Sequence, residues 1–104
     1  MKLNKNTIIP KIMVMKSELE IMKKIISKIV ELVHMQDVME FTKEAEKLIN
    51  NFPKFDYFDE EMQSIKECLI DLYDGYETRE EVINYMNFMQ RVIENSFEYI
   101  KNSF

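Results

Sequence analysis

Glycine occurs once and proline twice in 104 residues. A β-rich domain of this length needs many tight turns, and turns draw on Gly, Pro, Asn and Asp, each for its own backbone geometry. A chain this poor in the first two has few turns and long elements, and those elements are helices. Apolar residues make up 46%, enough for one compact core. They recur at helical spacings and both charge signs are present, which argues against a disordered chain. The expected fold is all-α: a single small antiparallel four-helix bundle spanning 1–104, with residues 1–7 flexible.

The punctuation sets the expected helices. Ser17-Glu18-Leu19-Glu20 has the form of a capping box, so a helix can begin at Ser17. Pro10 equally suits a first helical turn, which would start it near Ile9. Either way the first helix runs to about residue 34. Leu19, Ile21, Met22, Ile25, Ile26, Ile29, Val30, Leu32 and Val33 cover about half its circumference, more than one buried face requires. Ile9 and Met13 add apolar groups on its polar side. The second helix, 38–51, starts after Asp37 and stops before Pro53, with Val38, Phe41, Ala45, Leu48, Ile49 and Phe52 as its stripe. The third, 57–74, is capped by Asp56 or Asp59 and ends at Gly75 in a left-handed turn. Its buried face is Phe58, Met62, Ile65, Cys68, Leu69, Leu72 and Tyr73. Thr78-Arg79-Glu80-Glu81 opens the fourth, 79–102, whose core stripe is Val82, Met86, Met89, Ile93, Phe97 and Ile100. Short connections make neighbours antiparallel.

Charge is distributed unevenly. The net charge is −5, but residues 1–34 carry seven Lys and three Glu (+4) while 35–104 carry five Lys, two Arg and sixteen acids (−9). Ten of those acids lie between Asp56 and Glu81. The simplest placement sets the basic first helix beside this acidic third segment.

Candidate chemistry is sparse. Glu31-Leu-Val-His34 has the Glu-x-x-His form of di-iron bundles, but a full site needs two such pairs, and His34 is the sole histidine. At a helix end it suits the negative pole of the dipole instead. Asp71 to Glu81 has a faint calcium-loop spacing, yet with Gly75 at loop position six, Ile70 and Leu72 fall where carboxylates are needed. Cys68 shares the apolar face and reads as a small core residue, the single cysteine suiting a reducing compartment. No catalytic, cofactor or metal residues are assigned. The acidic balance opposes direct nucleic-acid binding, and no apolar run reaches a membrane-spanning length. A cytoplasmic location is expected. The excess of Ile, Lys and Asn over Ala and Gly points to an AT-rich genome, bacterial or phage.

A second stripe on the fourth helix, Tyr85, Phe88, Val92 and Tyr99, is surplus to the core and is a candidate protein-binding surface. The acids Asp59, Glu60, Asp71 and Asp74 form another. The expected function is a non-enzymatic regulatory or inhibitory protein binding another macromolecule stoichiometrically, such as an inhibitor of a nucleic-acid defence enzyme. Alternatives are an immunity or antitoxin-type bundle neutralising a cognate toxin, and an enzyme or a metal or small-ligand binder whose site forms at an oligomer interface. Surplus apolar surface on the first helix points to a homodimer or higher oligomer.

Overall fold

A computed structural model describes residues 5–103 and contains four helices: α1 (Lys5–Val33), α2 (Val38–Asn50), α3 (Asp59–Tyr73) and α4 (Arg79–Asn102). Four polar fixings set their directions. The Arg79 guanidinium donates to the Val33 carbonyl at 2.6 Å and also to the Met35 carbonyl, tying the start of α4 to the end of α1. Lys23 pairs with Glu94 at 3.1 Å further along, so α4 runs antiparallel to α1. Lys28 approaches Glu44 of α2 at 3.9 Å. The Glu18 carboxylate accepts the amides of Asp56 at 2.6 Å and Tyr57 at 3.1 Å, which fixes the start of α3 beside the first half of α1. The result is an up-down-up-down bundle in which α1 and α3 are diagonal neighbours, each flanked by α2 and α4.

The core follows the stripes closely. Met22, Ile29 and Leu32 of α1, Ala45 of α2, Met62, Ile65 and Leu69 of α3, and Val82 and Met86 of α4 are fully buried. Ala45 is the chain's sole alanine. Its small side chain lets the short α2 lie close to its neighbours, so enlarging it would overpack the core.

The helices differ greatly in length, with 29 and 24 residues in α1 and α4 against 13 and 15 in α2 and α3. Glu18 marks the level at which α3 begins. The thirteen residues of α1 before it, 5–17, extend about 20 Å past that level. This makes the molecule 53 Å long and only 23 by 18 Å across, with a step at one end where α1, accompanied by α4 only as far as Asn102, continues without the α2–α3 layer.

Several expectations are corrected. The first helix begins at Lys5, neither at Ile9 nor at Ser17. Pro10 lies in its second turn, where it withholds one backbone donor but keeps a helical φ. The Ser-x-x-Glu sequence lies mid-helix, and Glu18 within it is 7% exposed. Of the expected flexible residues 1–7, residues 1–4 lie outside the described residues and 5–7 belong to α1. Neither Asp56 nor Asp59 caps α3. Phe58 occupies the cap position without a side-chain hydrogen bond, and Asp59 is the first helical residue. Three stripe residues are exposed: Val38 and Tyr73 because they terminate their helices, and Ile21 because it sits near the level at which α2 ends. Asp37 and Thr78 do cap α2 and α4, accepting the Met39 and Glu40 amides and the Glu81 amide respectively. Gly75 takes φ +83°, the expected left-handed turn.

Candidate functional site

The residue spacing of α3 decides which acids share a face. Glu60, Ser64, Glu67, Asp71 and Asp74 recur at intervals of four, three, four and three, which keeps them on one side of a helix. Ser64, Glu67 and Asp71 of that row line a shallow groove together with Cys68, Glu77 and Tyr85. The acid row of α3 therefore meets the aromatic row of α4 at Tyr85. Asp71 and Tyr85, 14 positions apart in sequence, meet at this groove. Asp59 falls outside the row, at the first position of α3.

Burial divides the expected aromatic surface. Tyr85 and Val92 are half-buried along the α3 side of α4, and Phe88 between them is 52% exposed. Tyr99 is 76% exposed, but it does not belong with the other three. Residues 94–98 of α4 lie across a groove from Lys16, Leu19, Glu20 and Lys23 of α1, so Tyr99 lies past the start of α3, at the stepped end. Tyr76, in the turn between α3 and α4, is 81% exposed beside the acids at the opposite end. Sequence reasoning passed over it, because a lone Tyr next to a turn glycine carries no periodic signal.

The acids fall into two groups by their fit to the helix dipole. Asp59, Glu60 and Glu61 occupy the first turn of α3, where negative charge is favourable. Asp71 lies in the last turn and Asp74 at the C-terminal cap, where the dipole is negative and no basic residue is present. These two acids oppose the helix that carries them. The basic helix does not offset them either. With α1 diagonal to α3, its lysines reach Glu94 of α4 and Glu44 of α2, and these are the ion pairs found among the described residues. The expected pairing of basic first helix with acidic third segment is thus replaced by two separate charged corners.

Cys68 records the local field. Its thiol is 4% exposed and donates to the Glu77 carboxylate at 3.3 Å. Burial first, then that hydrogen bond and the negative charges of Glu77, Asp71 and Glu81, push the thiol up to about 12. A thiol held protonated is a poor nucleophile. Burial also raises the Tyr85 phenol, while a hydrogen bond with Ser64 pulls the other way. His34, the other candidate noted in sequence, is exposed at the end of α1. Among the described residues no group of three His, Cys, Asp or Glu side chains is placed to hold a metal ion, and no helix is long and apolar enough to cross a membrane.

Comparison with protein-family models, curated proteins and solved structures finds no match. The surface itself must carry the functional argument. It offers a row of carboxylates, the half-buried Tyr85 beside them, and the exposed Phe88 further along the same helix. Such a face is complementary in charge to a cationic surface that also presents apolar side chains.

Proposed function

We propose that the protein is a non-enzymatic regulator or inhibitor that binds another protein stoichiometrically through the α3–α4 face, with a basic groove of the kind found on nucleic-acid enzymes as its target. The observation that supports this most directly is the placement of Asp71 and Asp74. Acids at the negative end of a helix, unpaired with the lysines of α1, weaken the fold that carries them. Local rules are broken in this way where function requires it. Phe88 and Tyr76 supply the exposed aromatic groups that anchor such contacts. A defence nuclease and a cognate toxin both fit this description, and the partner's identity decides between them.

The test is affinity capture from cells of the source organism with matched variants. Wild type is expected to retain a basic protein at one-to-one stoichiometry. Asp71→Lys with Asp74→Lys, and separately Phe88→Ala, should lose it while keeping wild-type circular dichroism. Lys43→Glu on α2 should retain it. Equal capture by all variants would place the binding surface elsewhere.

A further inference from the structure

The stepped end presents a second exposed apolar surface. Residues 8–15 of α1 include Ile8, Ile9, Ile12, Met13, Val14 and Met15, and six apolar residues in eight positions surround the helix on every side. A helix apolar all round is a buried helix. Here Ile9 is 55% exposed, Met13 66% and Val14 41%. The pattern continues on both long helices. Val14, Ile21 and Lys28 share one line of α1 at intervals of seven, and Lys28 reaches Glu44 of α2, whereas Val14 and Ile21 lie where α2 no longer covers the line. Tyr85, Val92 and Tyr99 share one line of α4. Tyr85 lies against Ser64 and Cys68 of α3, whereas Tyr99 is past the start of α3. Both lines keep their core-flanking character beyond the helices that cover them. Ile12 and Ile100, packed on the core between the lines, are only half-buried.

We infer that the step is filled by the same step of a second copy, in a two-fold dimer whose α1 and α4 ends interleave. What the step lacks is neighbours for α1: the α2–α3 layer along all of it, and α4 along its outer part. An inverted copy supplies a projecting α1 of the same length and the same apolar lines, with the end of its α4 beside the base of that projection, so each projecting α1 gains helical neighbours across the two-fold. The exposed charges around the step match this occupant. Lys11, Lys16 and Lys101 are set among Glu20 and Glu98, so two inverted copies can place lysines opposite glutamates. An anionic lipid surface would be met by both signs at once. This surface is distinct from the α3–α4 face, and the two stand or fall separately.

Sedimentation equilibrium on the full chain provides the test. Wild type is expected to be dimeric at micromolar concentration. Tyr99→Glu and Val14→Glu should each weaken self-association on the order of thirtyfold, the loss expected for one interface anchor, with helical content unchanged. Phe88→Glu, about three turns along α4 from Tyr99 and away from the step, should leave the dimer intact. Should a glutamate variant lose helical content, Val14→Ala and Tyr99→Ala replace it, with the same direction expected. A monomeric wild type, a dimer insensitive to both step substitutions, or a dimer dissolved by Phe88→Glu would overturn the inference. Co-sedimentation of monomeric wild type with phosphatidylglycerol vesicles would likewise overturn it, assigning the step to lipid.

Discussion

Glu18 is a carboxylate buried beside the core, and its value lies in the two amides it satisfies. Without it the Asp56 and Tyr57 N–H groups lose their acceptor in a part-buried loop, and the start of α3 loses its tether to α1. Glu18→Ala should cost about 3 kcal/mol in denaturant unfolding, and Glu18→Gln less, since one acceptor oxygen survives. Cys68 gives a second measurement at the same scale. Its thiol should resist iodoacetamide in the folded protein and react on unfolding. The sign of its pH dependence follows from proton binding. The folded value, about 12, exceeds the ordinary 9.0, so between these values the folded state holds a proton that the unfolded state has released. Stability attributable to Cys68 is therefore intact below pH 9 and falls as pH rises toward 12. Cys68→Ala should flatten that decline in a series of chemical melts. Asp71→Asn and Asp74→Asn should each raise stability by roughly 0.3–1 kcal/mol by relieving the negative end of α3, while Asp59→Asn should lower it by a similar amount. Equal and opposite results would remove the case that Asp71 and Asp74 are kept for binding.

At the scale of elements, boundaries marked by side-chain chemistry were legible. Asp37, Thr78 and Gly75 each act within a few residues of their own position, so their roles follow from local sequence. Gly75→Ala isolates the backbone term, because a β-carbon there meets nothing within 4 Å. Its expected cost is about 1 kcal/mol, from the left-handed φ alone. Illegible features were those set by distant partners. Glu18 reads as part of a capping box, and only the arrival of residues 56 and 57, some 38 positions later, makes it a tether. Arg79 reads as part of a helix start, yet its guanidinium holds the end of α1 and lies 5.6 Å from the Phe41 ring centroid. The start of α1 was obscured because a cap pattern and a proline both point inside the helix. Tyr85, Phe88, Val92 and Tyr99 are one stripe by spacing, and the unequal helix lengths divide them between two surfaces.

The whole molecule is an elongated bundle with its basic and acidic helices at opposite corners. For the proposed cationic partner, long-range attraction would act on the α3 side, and association through it should slow as salt rises. The most direct measurement is hydrogen exchange on the captured complex, compared with the free protein. Added protection concentrated in residues 60–74 and 76–92 is the expected result. Protection confined to α2 and the outer side of α1, with α3 unchanged, would contradict the assignment of the acidic and aromatic rows as the binding face.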